Sequence, residues 1–376
     1  MGKARLRFGI LTRNLPPLWC GIADHSISLA EHLKRQGHEV LLIGSRGDAA
    51  EGVQIVTDEW GERALVRLRS QLEGMQCDHL MMQYTPLMYA SGNRTEHDAL
   101  VRFWQKLSIF VTTSLIVHET YFRTWRRPLS LVRGTYQRRA LRAMCRASHH
   151  VFTSSEPLLS EMAGWKLKRA PVMLPISSNI PVLEADTDAL RARHDVSANA
   201  LMLTLFGGGN NLKWMLDQVL GLERRLQADG IACVWLLLGG VPMEWLPATA
   251  RVLDPGRLPL HELTAYLQMT DVFLMPNWSG VSAKRGTLMA ALEHALPVVG
   301  TRGYMTDPFW IDVEGVKLID SGDILGFSRA VVALASDPQL RRRLGDANRD
   351  YFLKHFTWVE IISRLLGSLQ SFEDMR

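Results

Sequence analysis

Short apolar runs alternate along the chain with longer amphipathic stretches. The runs fall at 8–12, 40–44, 79–83, 115–119, 151–154 and 172–175 in the first half, and at 202–206, 234–238, 252–254, 272–275, 297–299 and 316–319 in the second. Several are apolar at successive positions, as strands covered by helices on both faces are. Between the first two runs, Ile22, Leu29 and Leu33 form a stripe at helical spacing with Ala30 beside it, and Gly37 supplies the stop. Strand–helix–strand order repeated in this way predicts parallel α/β sheets. Twelve strands are too many for one compact doubly wound sheet. The polar stretch 183–200, which follows Pro181 and precedes a fresh strand, is the natural break. The expected organisation is a Rossmann-like domain over 1–183, a linker over 184–200, and a second Rossmann-like domain from 201. Ligands of open parallel sheets lie beyond the carboxyl ends of the strands, so a central cleft between two such sheets is the expected site.

Composition narrows the class further. At 47% apolar and 22% charged, the 376-residue chain is an ordinary globular protein, not a disordered chain, a collagen or a coiled coil. No apolar run reaches the roughly 18 residues that would span a bilayer. The basic N-terminus leads into a short run that reads as a first core strand and not as a signal peptide. Cys20, Cys77, Cys145 and Cys233 are widely spaced, without a CxxC, and are expected as reduced thiols of a cytosolic protein. The net charge of +5 is local: residues 120–155 hold eight arginines and no acid (Arg123, Arg126, Arg127, Arg133, Arg138, Arg139, Arg142 and Arg146). That surface implies an anionic partner. On a helix, Arg138, Arg142 and Arg146 share a face with Arg139 beside it, while Leu129, Val132, Tyr136, Ala140 and Ala143 form another. Phe122 and Trp125 lie just upstream, as interfacial anchors do. An anionic membrane surface is the expected partner there, and nucleic acid is not.

Four segments carry candidate chemistry. After the first strand, Pro16 and Pro17 fix a turn, and Gly21 allows close approach of a ligand to the next helix, whose free N–H groups suit an anion. An ordinary strand-to-helix loop would read the same way. The second half opens with Gly207, Gly208 and Gly209 after a strand, and Lys213 near the next helix start. A glycine loop with a lysine cradles a phosphate, although this is neither a dinucleotide GxGxxG nor a Walker A loop. In MPNWSGVSAKRGTLMAALEHALPVVG, Lys284 and Arg285 sit where a helix begins, with Gly286 and Thr287 next to them. Two cations at a helix N-terminus oppose the dipole unless an anion docks there, and Arg285 can grip a phosphate in a bidentate way. His118 and Glu119 end a strand, where a histidine serves as proton carrier, hydrogen-bond donor or plain structural group. Asp186-Thr187-Asp188 matches the DxD of metal-dependent sugar transferases but lies in the linker, and His149-His150 has no ligand set nearby. No metal is expected.

The order of these segments resembles a known family. The PP-x3-GIA loop, His-Glu after a central strand, LPISSNIP, FGG…K and GVSAKRGTLMAALEHALPVV together resemble retaining glycosyltransferases of family 4, with the GT-B fold. The resemblance runs nearly end to end. It implies a second domain over 201–355 and a closing helix within 356–376 that crosses back to the N-terminal domain. It further implies a nucleotide sugar held mainly by the C-terminal domain and an acceptor held mainly by the N-terminal one. Lys213 and the glycine loop would hold the donor diphosphate, Gly21 would approach it, His118 would lie near the transferring sugar, and backbone around Gly256, Arg257 and Leu258 would hold the base. The family's E-x7-E acids are replaced here by Ser282 and Ala290, and an arginine usual in the glycine loop is Gly208. A subgroup lacking those acids is the better match.

The resulting expectation is a metal-independent, cofactor-free GT-B glycosyltransferase. It would move a hexose-type sugar to a carbohydrate or lipid-linked acceptor in bacterial surface glycan synthesis, in the cytoplasm or peripheral on the inner face of the membrane. His118, Lys213 and Arg285 are the catalytic candidates. Gly21, Gly207–Gly209, Arg257, Leu258, Ser282, Gly286 and Thr287 join Lys213 and Arg285 at the donor, with His25 and Glu119 on the acceptor side. A catalytically silent GT-B sugar- or partner-binding protein and a nucleotide-sugar epimerase are the alternatives. The epimerase would need carboxylates in the cleft, so the loss of acids at Ser282 and Ala290 counts against it.

Overall fold

A computed structural model describes residues 5–18, 20–48, 52–56, 60–89, 94–121, 128–207 and 212–373. The chain divides into two compact units. The first comprises Met1–Pro175 with Ile361–Arg376, and the second Ile176–Glu360.

Unit 1 runs β1 (Arg7–Leu11), α1 (Gly21–Arg35), β2 (Glu39–Gly44), β3 (Val53–Ile55), α2 (Glu62–Gly74), β4 (His79–Tyr84), α3 (Arg94–Phe110), β5 (Thr112–Val117), α4 (Pro128–Ala147), β6 (His150–Thr153), α5 (Glu156–Ala163) and β7 (Val172–Met173). Its sheet has the order β3-β2-β1-β4-β5-β6-β7 with every pairing parallel. All six residues of central β4 are buried, which is why its apolar run shows no alternation. α1 buries Leu29, Ala30 and Leu33 as the stripe predicts, and His25 and Ser26 with them, while Ile22, expected on the same stripe, is half-buried. β3 is absent from the expected strands. With three residues at the sheet edge, it is too short to show a period.

Unit 2 runs α6 (Thr187–Arg193), β8 (Leu201–Phe206), α7 (Leu216–Ala228), β9 (Cys233–Leu238), β10 (Val252–Leu253), α8 (Leu260–Gln268), β11 (Val272–Met275), α9 (Gly286–Glu293), β12 (Val298–Arg302), β13 (Val316–Asp320), α10 (Ile324–Ser336), α11 (Pro338–His355) and α12 (Trp358–Glu373); the residues of α12 from Ile361 onward count with the first unit. Its sheet is parallel, in the order β10-β9-β8-β11-β12-β13. The core joins Leu203, Leu205, Trp235, Leu237 and Leu274 of the sheet to Leu222 of α7 and Phe327 of α10. Glu223 is buried beneath it, where its carboxylate accepts the indole N–H of Trp235 at 2.6 Å and the amide of Gln227 at 2.8 Å.

The unit boundary falls at 175/176, eight residues before the expected 183. Long-range bonds within unit 2 account for this. Ile176 N–H donates to Ala283 O at 3.1 Å, Trp358 Nε1–H to Ser178 O at 2.9 Å, and Leu183 N–H to Thr264 Oγ1 at 3.3 Å. The segment expected as a linker carries α6 and is anchored by Arg191, which reaches Ala200 O at 3.1 Å and Asp271 Oδ2 at 3.0 Å. Asp186, the first acid of the DxD match, caps that helix by accepting Ala189 N–H at 2.9 Å.

Candidate functional site

In unit 1 the candidates gather at the carboxyl edge of the sheet. His118 directly follows β5 and is buried. Its Nε2–H donates to Gln83 Oε1 of β4 at 2.6 Å, and its own N–H donates to Tyr84 O at 3.0 Å. His25, in the first two turns of α1, meets the ring edge-on with centroids 5.5 Å apart. Burial pushes its pKa down to about 4, so it is neutral at physiological pH. Glu119 is exposed, next in the chain to His118. Gly21 opens α1 with no side-chain cap before it, and a Cβ there would meet nothing within 4 Å. Packing therefore does not demand a glycine at that position.

The same edge holds polar groups that sequence reasoning did not single out. The Oγ atoms of Thr12, after β1, of Thr153, ending β6, and of Ser154 and Ser155, after it, are buried without a hydrogen-bond partner, as is Nε2 of Gln83. Each unsatisfied group costs about 1–3 kcal/mol unless a ligand or water meets it. Strand-end serines and threonines look unremarkable in a sequence, and only the fold brings these together.

In unit 2, Gly207 follows β8 at φ +146° and donates its N–H to Leu238 O at 3.0 Å. Gly208 and Gly209 lie outside the described residues. Lys213 is exposed in a short 3-10 turn, Leu212–Met215, that leads into α7. Gly256 N–H donates to Asp254 Oδ1 at 2.9 Å, turning the chain after β10 into exposed Arg257 and half-buried Leu258.

The loop from β11 to α9 is held by several side-chain bonds. Arg285 is the N-cap residue of α9, with extended backbone and no side-chain cap. Gly286 and Thr287, half-buried, form its first turn. The amides of that turn have no partner within the helix. Arg285 Nη2 donates to Ser279 Oγ at 3.3 Å. Asp307, fully buried, accepts Ala283 N–H at 2.6 Å and the indole N–H of Trp310 at 3.2 Å. Ser282 is fully buried, its Oγ 3.5 Å from Lys284 N–H, and Ala290 is fully buried within α9. Among the described residues, no group of three or more His, Cys, Asp or Glu is placed to hold a metal ion.

The crossover in strand order lies between β1 and β4 in unit 1 and between β8 and β11 in unit 2. Open parallel sheets bind ligands at such points, and Gly207 and the Arg285 loop flank the second of them. Two parallel-sheet α/β domains with these connections form the architecture of GT-B glycosyltransferase structures. Sucrose-phosphate synthase from Thermosynechococcus elongatus superposes with a TM-score of 0.73 at 13% identity, over 99% of this chain and all of that one. HepE of Anabaena, solved with UDP and glucose, superposes with a TM-score of 0.68 at 13% identity, over 98% of this chain and 100% of that one. In sequence, 143 residues are 28% identical to the lipopolysaccharide core biosynthesis glycosyltransferase LpsE of Rhizobium meliloti (strain 1021), a match taking in 37% of this chain and 42% of LpsE. No family model matches the chain.

Among the described residues, no helix is long and apolar enough to cross a membrane. Of the arginine-rich surface, Phe122, Arg123, Trp125, Arg126 and Arg127 lie outside the described residues. On α4, Arg138 Nε is 3.5 Å from Glu161 Oε1 and its guanidinium lies 5.6 Å from the centroid of the Tyr121 ring. Arg146 Nε–H donates to Trp165 O at 3.0 Å. Arg139 is exposed and Arg142 half-buried. Val132 is exposed, whereas Ala140, expected on the same apolar face, is buried in the unit.

Proposed function

We propose that this chain is a family 4-like glycosyltransferase that moves a hexose-type sugar from a nucleotide diphosphate sugar to a carbohydrate or lipid-linked acceptor in surface glycan synthesis. Transfer proceeds without a divalent metal and with retention at the anomeric carbon. The observation that carries this reading is Arg285. It is a cation at the uncapped N-terminus of α9, beside the β8–β11 crossover, and opposes the helix dipole unless an anion docks there. The leaving diphosphate gains negative charge in the transition state. Lys213, Arg285 and the α9 amides supply the preorganised positive field that such a state needs, often the largest catalytic contribution. Attack on the face the diphosphate leaves, with the diphosphate taking the acceptor's proton, needs no covalent nucleophile. The buried hydroxyls of Thr12, Thr153, Ser154 and Ser155 at the edge of unit 1 suit sugar hydroxyls. The functions named for LpsE and the UDP and glucose bound to HepE are consistent with this substrate class.

A thermal-shift screen of UDP-, GDP- and ADP-sugars tests the reading, since a ligand of the native state stabilises by RT ln(1 + [L]/Kd). At least one should raise Tm. If no nucleoside diphosphate or its sugar does so at millimolar concentration, the transferase reading falls. A second reading, a GT-B protein that binds sugars without transferring them, is favoured by the residues at 282 and 290, a serine and an alanine that supply no carboxylate. Nucleotide-sugar binding without product, across a panel of acceptors, would establish that reading instead.

A further inference from the structure

Trp278, on the loop after β11, and Tyr304, on the loop after β12, are 40% and 46% exposed, with ring centroids 5.1 Å apart and planes inclined by 44°. Single exposed aromatics are common and need no explanation. This pair is held in place with unusual care. A Cβ at Gly280 would come within 2.5 Å of Gly303 N, and one at Gly303 within 2.5 Å of the Ser279 carbonyl carbon. The two loops therefore touch backbone to backbone, at a distance only glycine permits. Met305 N–H donates to Ser279 O at 2.8 Å. Ser279 N–H and Oγ–H both donate to Asn277 Oδ1, at 3.1 and 2.9 Å, and Asn277 N–H donates to Thr301 Oγ1 at 2.8 Å. The residues flanking each ring are fastened, so the rings are preorganised although they face water. The same Ser279 hydroxyl receives Arg285 Nη2 at 3.3 Å, which couples the pair to the cation of the site.

We propose that Trp278 and Tyr304 form a stacking platform for a pyranose ring. The position on the sheet selects this occupant, and this step rests on the transferase reading. With the diphosphate at the β8–β11 crossover and the base on the Gly256–Leu258 loop after β10, the nucleotide occupies the β10 side. β12 lies on the opposite side of the crossover, where the sugar end of the donor and the incoming acceptor belong. A pyranose offers a face of C–H groups to the two rings while its hydroxyls stay hydrated or bonded, the chemistry for which amphipathic Trp and Tyr are suited.

The test uses the full chain as wild type, W278A/Y304A and W278F/Y304F. Saturation-transfer NMR with irradiation of aromatic protons reads the methyl glycosides of glucose, galactose and mannose, and calorimetry reads UDP, GDP and ADP. At least one pyranoside should receive saturation at its ring C–H protons in wild type and in the Phe pair, and at least about threefold less in the Ala pair. Nucleoside diphosphate affinity should stay within about twofold in all three proteins, because the phosphates are held elsewhere. Pyranoside signals that persist under saturating nucleotide sugar place an acceptor ring on the platform; signals displaced by it place the donor's own sugar there. No pyranoside transfer in wild type, equal transfer in the Ala pair, or a loss of nucleoside diphosphate affinity in its place would overturn the proposal. If no nucleotide binds but pyranoside transfer still depends on the pair, the transferase reading fails and the platform stands.

Discussion

Asp307 Oδ2 accepts the backbone N–H of Ala283 at 2.6 Å and the indole N–H of Trp310 at 3.2 Å. One buried carboxylate thus ties the loop after β12 to the loop that presents Arg285. Asp307→Ala strands two buried donors, each costing about 1–3 kcal/mol. We expect the variant to lose about 2–4 kcal/mol in urea unfolding of unit 2. Asp307→Asn keeps one acceptor oxygen and should lose less. An alanine variant within about 0.5 kcal/mol of wild type would mean that the loop holds its shape without the carboxylate.

Lys213 is exposed in the turn that follows the glycine loop, so Lys213→Ala should leave the fold intact. Loss of one charged contact to a transition state costs about 3 kcal/mol, or roughly 10²-fold in rate. The transfer rate with the donor identified by thermal shift is the measurement, with circular dichroism as the fold control. A variant within about threefold of wild type would make Lys213 a surface charge paired with solvent or with Asp217 one turn on.

Unit 1 buries histidines in their neutral form. Burial pushes His25 down to about 4; burial, and then the neighbouring His150 and His149, push His79 down to about 3. Both titrate near 6.5 when unfolded, so between those values the unfolded chain binds more protons than the native one. Their contribution is intact above about pH 6.5 and is lost progressively as pH falls through the folded values near 4 and 3. The Tm of unit 1 should therefore fall with acidification below about pH 6.5. His79→Asn should flatten that slope, and an unchanged slope in the variant would remove His79 from the account.

The strand–helix alternation was legible because buried parallel strands leave continuous apolar runs, and the stripe of Ile22, Leu29 and Leu33 with Ala30 beside it marks α1, although Ile22 is only half-buried. The end of the first unit was not. It depends on Ile176 bonding to Ala283 and Ser178 to Trp358, contacts between residues more than 100 positions apart. The cations of the site were visible as an electrostatic oddity, Arg285 at a helix start. Its supports were not. Asp307 and Asn277 look like ordinary loop residues, and Gly280 and Gly303 reveal their purpose only when their backbones meet. The unpaired hydroxyls of Thr12, Ser154 and Ser155 likewise acquire meaning from the sheet order alone.

Membrane docking by α4 would bring the chain to a lipid-linked acceptor. Arg138 and Arg146 already have protein partners in Glu161 and Trp165, which leaves exposed Arg139 as the residue best placed for lipid. Co-sedimentation with vesicles should rise with their phosphatidylserine content. Arg139→Ala should weaken it about fivefold, near 1 kcal/mol per basic residue. Arg146→Ala should also lower stability by removing a charged bond to a carbonyl. Pelleting indifferent to anionic lipid would rule out docking by charge.

A nucleotide-sugar donor would have to be held without acids at 282 and 290. Ser282 is buried and its hydroxyl faces Lys284 N–H, and Ala290 has no polar group. What remains at the start of α9 is Arg285, Thr287 and the amides beside Gly286. Neutral bonds from hydroxyls and amides are worth less than charged ones, so the diphosphate should dominate affinity. Calorimetry should then find nucleoside diphosphates binding clearly and nucleosides barely. Removing the ribose 2′-hydroxyl should cost little, because no carboxylate is there to accept from it. Arg285→Ala should weaken diphosphate binding at least about tenfold, since a bidentate charged contact is worth roughly 1.5–3 kcal/mol. Arg285→Lys should recover only part of that loss, because an ammonium cannot reproduce the planar fork. A 2′-deoxy donor bound as weakly as the bare nucleoside would show that a ribose contact replaces the missing acid, and the diphosphate-dominated account would be wrong.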